Sequence, residues 1–185
     1  MSIRDPAALT RALMAAIALA LVASSAFAAG PRHHAPWVSG GSVARVFDSD
    51  TFDLRTEDRG VVRVRFAGID APERGQAYSR KSAEHLQSLV QGRAVRVRCY
   101  KDDGNAREIC DVDVEGRDVG LAMIDAGLAW HFKRFEKEQE EGARRAYAAA
   151  EERARAARVG LWAHSEPPMA PWECRQSTRE GRGCR

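Results

Sequence analysis

The twelve residues Val62-Arg63-Val64-Arg65-Phe66-Ala67-Gly68-Ile69-Asp70-Ala71-Pro72-Glu73 constrain the fold of this chain more than any other stretch. Val62, Val64 and Phe66 alternate with Arg63 and Arg65, so the segment is a strand with one apolar and one cationic face. Pro72 lacks an N–H and cannot continue a ladder, so the strand must stop there. Two carboxylates, Asp70 and Glu73, therefore lie at a strand end close to the arginine face. A second acidic cluster, Asp48-Ser49-Asp50-Thr51, lies upstream in a turn between two other apolar runs. Carboxylates on strand ends beside a cationic face point to a hard-metal site next to a phosphate site.

The rest of the chain supplies the frame. Arg4 and Arg11 lead into an apolar run, Ala12 to Val22, which ends in Ala26-Phe27-Ala28. This reads as a secretory signal peptide over residues 1–28; the run is too short for the roughly 20 residues that span a bilayer. Residues 29–41, rich in Gly, Pro and Ser, read as a linker. Strands are expected over Ser42–Phe47, Thr51–Arg55 and Val61–Ile69, then a helix from Gln76 to Val90 with Gly92 at its C-terminal cap. Val95–Cys99 and Cys110–Val114 form a hairpin, a short helix runs from Asp118 to Ala126, and a longer one from Glu136 to Arg158. Residues 165–185, rich in Pro and Gly, read as a poorly ordered tail. The pattern predicts an α+β fold, mainly β, in which five short strands close a small barrel with about three helices.

The formal net charge of +3 falls to +2 once residues 1–28 are removed, too mild to identify a nucleic-acid partner by itself. Four cysteines in an exported chain suggest disulfides. Cys99 shares a face with Val95 and Val97, and Cys110 with Val112 and Val114, so the hairpin puts both sulfurs on one side. A Cys99–Cys110 bridge is the preferred reading, with two buried free thiols as the alternative; the pairing of Cys174 and Cys184 stays open. Zinc is disfavoured, since no C-x-x-C pair or nearby histidine supports it.

Phe47-Asp48-Ser49-Asp50-Thr51-Phe52, then Arg65 with Ile69-Asp70-Ala71-Pro72-Glu73, then Arg107, Ala126-Gly127-Leu128-Ala129-Trp130 and Gly160-Leu161-Trp162, resemble the staphylococcal nuclease family in order and spacing. The resemblance runs from about Gly41 to Glu173, with residues 42–164 as the nuclease-like domain. It implies a five-stranded OB-fold barrel. It also implies calcium held by Asp50, Asp70 and the backbone carbonyl of Ala71, with Asp48 capping the turn or supporting the metal through water. Glu73 is implied as general base, and Arg65 and Arg107 as the phosphate clamp, whose planar guanidinium forks match phosphate oxygens. Arg107 departs from the family pattern, because Asn105-Ala106 precede it in place of an aromatic and a glycine. At the two positions where relatives stack bases on tyrosines this chain has Lys133 and Phe135; Phe135 can stack on a base or pack as core.

The expected activity is calcium-dependent hydrolysis of phosphodiester bonds in DNA and RNA, leaving 3′-phosphates. The protein is expected to be exported to the periplasm or medium, monomeric, and free of the membrane once its signal is cut. The rival is a non-catalytic OB module that binds single strands. Retention of Asp50, Asp70, Glu73 and Arg65 together weighs against it.

Overall fold

The computed structural model describes residues 30–184. The signal peptide expected over residues 1–28 lies outside the described residues. Five strands close on themselves: β1 (Arg32–Val46), β2 (Thr51–Thr56), β3 (Val61–Phe66), β5 (Ala94–Asp102) and β6 (Glu108–Val114). Neighbours run in the order β3-β2-β1-β5-β6, and a parallel pairing of β3 with β6 joins the two edges. That closure makes the sheet a barrel, the mixed α+β architecture the sequence pattern predicts. It also removes the edge strands an open sheet would expose.

Alternation fills the interior. Phe52 and Leu54 of β2, Val64 and Phe66 of β3, Val95, Val97 and Cys99 of β5, and Cys110, Val112 and Val114 of β6 form one buried cluster. Helix α1 (Ser79–Val90) adds Leu86 and Val90 to it, and α2 (Val119–Asp125) adds Met123 and Ile124. Asp118 caps α2 by accepting the Leu121 N–H, and it also accepts the Tyr147 hydroxyl from α3 (Glu141–Ala156). A two-residue strand β7 (Arg117–Asp118) precedes α2. A small second sheet pairs β4 (Ile69–Asp70) with β8 (Trp130–His131), and so anchors Asp70 beside the α2–α3 region. The Cys99–Cys110 bridge joins directly opposed residues of β5 and β6, as expected from their shared face.

Three expectations need correction. Residues 32–41 are not a linker: they are the first two-thirds of the long strand β1, paired with β5 from Arg32 to Ser42. Gly40 and Gly41 serve a close crossing rather than slack, since a Cβ at Gly41 would lie 2.2 Å from the Arg55 carbonyl oxygen. The helix expected over Glu136–Arg158 splits, with a 3-10 turn at Lys133–Glu138 before α3 begins at Glu141. The C-terminal tail is not loose: Pro171–Arg179 forms a helix, α4. Pro171 occupies its first turn, where no N–H is needed, and Glu173 accepts the Ala170 N–H. A second bridge, Cys174–Cys184, ties the end of the chain back to α4.

Candidate active site

The turn before β2 and the bend after β3 bring the acidic clusters together. Thr51 lies opposite Arg65 in the β2–β3 register, and the Phe66 N–H donates to the Asp50 carbonyl. The residues just outside those pairs, Asp50 and Asp70, therefore face one another across Arg65. Asp50 Oδ2 accepts the Ala71 N–H at 3.1 Å and lies 2.6 Å from Arg65 Nη1. Arg65 Nη2 donates to Asp70 Oδ1 at 2.9 Å. Asp48 Oδ1 accepts the Asp50 N–H at 3.1 Å, which is the turn-capping role expected for it. Pro72 breaks the chain away from the ladder and sets Glu73 at the mouth, where its N–H donates to Gln76 Oε1.

These groups line one cleft of about 280 Å³, walled by Asp48, Asp50, Arg65, Ala71, Pro72, Glu73 and Arg107. Asp70 sits behind it, wholly buried. A larger open groove of about 700 Å³ over the Gly40–Gly41 bend carries none of the predicted residues. Arg107 reaches the cleft while paired with Asp103, its Nε 2.7 Å from Asp103 Oδ2. Burial alone would raise the Asp103 pKa, but the Asn105 N–H and the Arg107 guanidinium outweigh it and hold the carboxyl below its usual range. Lys133 and Phe135 lie elsewhere. Lys133 Nζ is 2.5 Å from His131 Nδ1, and the Phe135 ring is 38% exposed beneath Lys101 Nζ at 4.3 Å. Phe135 is thus neither closed core nor part of the carboxylate cleft.

Charge in the cleft is concentrated and only partly matched. Burial, with the Asp50 charge added, pushes the Asp48 carboxyl up to about 6. Burial also raises Asp70, against the pull of Arg175 and Arg65. Arg65 Nη1 is buried without a hydrogen-bond partner among the described residues, because its ion pair with Asp50 is badly aligned for one. A phosphate oxygen in the cleft could take the aligned hydrogen bond that this donor lacks.

Asp50, Asp70 and the Ala71 carbonyl are hard oxygen donors, the type calcium takes. Asp48 and Asp50 line the cleft with Glu73, and Asp70 sits directly behind, so the donor set fits a hard divalent cation. Among the described residues no three His, Cys, Asp or Glu side chains form a ready-made cage. The remaining positions would fall to water and to the substrate.

The site has one member the sequence reading missed. Arg175 of α4 lines the same cleft, with Nη1 2.5 Å from Glu73 Oε1 and Nη2 2.7 Å from Asp70 Oδ2. The signal was present in Pro171-Trp172-Glu173, a proline at a helix start with an acidic residue in the first turn, but the Pro and Gly content around it masked the helix.

The profile of the family described as "Staphylococcal nuclease homologue" matches residues 63–164. A staphylococcal-like nuclease of Arabidopsis thaliana is 37% identical over 119 residues, covering 64% of this chain and 35% of the plant protein. An uncharacterized endonuclease of Haemophilus influenzae is 33% identical over 125 residues, covering 68% of this chain and 67% of its own. One of Escherichia coli O157:H7 is 33% identical over 133 residues, covering 71% and 82%. The matched region spans only about a third of the plant relatives, 33% to 35% of the first three. The barrel, together with a family match over more than half of the chain's length, makes this chain a member of the staphylococcal nuclease family.

Proposed function

We propose that the protein is an exported, monomeric nuclease that hydrolyses phosphodiester bonds in DNA and RNA with calcium as its cofactor. The observation that carries this reading is the single cleft in which Asp50, Arg65, Glu73 and Arg107 meet, with Asp70 behind them and the Arg65 guanidinium held between Asp50 and Asp70. The nuclease and endonuclease names of the relatives support it. Asp50, Asp70 and the Ala71 carbonyl would hold the cation, which supplies charge stabilisation at the phosphoryl oxygens when bound.

The chain's own groups supply the rest. Arg65 Nη1 and the Arg107 fork bind the non-bridging oxygens and neutralise the charge that grows there in the transition state. Glu73, at the mouth of the cleft, orients a water and takes its proton. As water bonds to phosphorus, the bond to the 5′ oxygen breaks, that oxygen takes a proton from solvent, and the phosphate stays on the 3′ oxygen. Export rests on the residue 1–28 pattern and on two disulfides, which persist in oxidising compartments.

The test is digestion of single-stranded DNA by mature protein with calcium and then with EGTA, alongside Glu73→Gln. Cleavage should require calcium, and Glu73→Gln should lose roughly 10²–10⁴-fold in turnover while keeping oligonucleotide affinity. Wild-type protein that binds single strands but never cleaves them would leave only the binding module.

A further inference from the structure

The contact that phosphodiester hydrolysis does not use is Arg175. Its guanidinium forms a fork across two carboxylates: Nη1 reaches Glu73 Oε1 at 2.5 Å and Asp70 Oδ1 at 3.1 Å, while Nη2 reaches Asp70 Oδ2 at 2.7 Å. With Arg65 Nη2 also on Oδ1, both oxygens of the buried Asp70 are taken by arginine. Burial works against the Arg175 charge, but these hydrogen bonds outweigh it and hold its pKa above the usual arginine range.

Arg175 is delivered, not stray. It belongs to α4, which lies beyond the 63–164 family match. The Trp172 ring stacks on Phe132 at 5.8 Å and meets Trp130 edge-on at 6.2 Å. Gln76 ties the segment to the site itself, accepting the Glu73 N–H and donating to the Met169 carbonyl. Cys174, one residue before the arginine, is bridged to Cys184.

Arg175 takes Asp70 Oδ2 and adds a second guanidinium to Oδ1, so a divalent cation approaching that buried carboxylate meets both an occupied oxygen and a like charge. We propose that Arg175 is a tethered counter-ion that competes with the divalent cation for Asp70 and Glu73, so that cation entry requires Arg175 to leave and the docking of α4 sets the apparent cation affinity. This rests on the calcium reading of the site. The arm adds a positive charge to a crowded acidic cleft until a cation arrives. It also occupies the Glu73 carboxylate, so release of Arg175 frees the metal ligand and the base together. A cation that binds only the undocked state has its affinity reduced by the fraction undocked.

The experiment is calorimetric titration of calcium chloride into disulfide-intact mature protein, comparing wild type, Arg175→Gln and Trp172→Ala. With the arm docked about nine-tenths of the time, Arg175→Gln binds calcium roughly tenfold tighter. Trp172→Ala keeps the guanidinium but loosens the helix, and shifts affinity in the same direction by less. In the wild type, calcium should speed amide hydrogen exchange over residues 171–179, a readout that needs no variant to fold. Equal or weaker calcium binding by Arg175→Gln overturns the competition and leaves the calcium reading standing. So does an unchanged calcium affinity with weakened oligonucleotide binding, which would make Arg175 a substrate ligand. If neither wild type nor Arg175→Gln binds calcium, both the competition and the calcium reading fall.

Discussion

Asp48 shows how one side chain records the electrostatics of the whole cleft. Its carboxyl accepts the Asp50 N–H, yet burial and the Asp50 charge push it up to about 6. A carboxyl whose folded pKa lies above its unfolded value binds its proton more tightly when folded. The charged form therefore costs stability above about pH 6, and the cost fades as pH falls toward the unfolded value near 4. A rise of about two units corresponds to an upper figure of roughly 3 kcal/mol, reduced by partial solvent access. Asp48→Asn keeps an acceptor for the Asp50 N–H and removes the charge. Its melting temperature without calcium should exceed wild type by several degrees at pH 7.5, and thermal scans should show the gain closing as pH falls from about 6 to about 4. A constant gain at all pH values would mean that charge is not the cause. Single residues were the most legible part of the chain: Asp50, Asp70, Glu73, Arg65 and Arg107 converge because each sits at a strand end or turn whose position the alternation fixes. Arg175 was not legible, because its partners Asp70 and Glu73 lie about a hundred residues away and no local pattern links them.

At the scale of elements, periodicity located strands β2, β3, β5 and β6 to within a few residues and failed where glycine and proline carry two meanings. Gly40-Gly41 reads as slack in a sequence, but β1 must pair with β2 and β5 at once. Gly41 lies opposite Thr56 on one side and Val95 on the other. The space left for a side chain there is set by the Arg55 carbonyl, 2.2 Å from a Cβ, which is backbone and cannot swing aside. Gly41→Ala should therefore force the β1–β2 pair apart and cost about 1–3 kcal/mol, the usual penalty of overpacking. Urea unfolding would measure it, and Gly30→Ala, where no atom of the described residues lies within 4 Å of an added Cβ, is the silent control. The same ambiguity hid α4, whose Pro171 starts a helix that the proline-rich run before it disguises as tail.

At the scale of the whole molecule, the described residues form a closed barrel with an arm laid across the carboxylate cleft, and the two disulfides divide between those parts. Cys99–Cys110 joins β5 to β6 inside the main cluster and closes 11 residues. It restricts the unfolded chain as well as the folded barrel, and contributes on the order of 2–3 kcal/mol. Cys174–Cys184 closes 10 residues of comparable length but constrains only α4 and the segment after it. Loop length alone would make the two equal. Position should make them different: global unfolding reports the barrel, whereas a peripheral helix is the kind of segment that opens locally at lower free energy. The Cys99→Ser/Cys110→Ser variant should thus lower the urea midpoint of the barrel markedly. The Cys174→Ser/Cys184→Ser variant should barely move that midpoint, yet raise hydrogen exchange over residues 171–179 to well above the wild-type rate. Equal midpoint losses from the two variants would show that α4 unfolds with the barrel as one cooperative unit, and the arm would then have no independent motion with which to admit a cation.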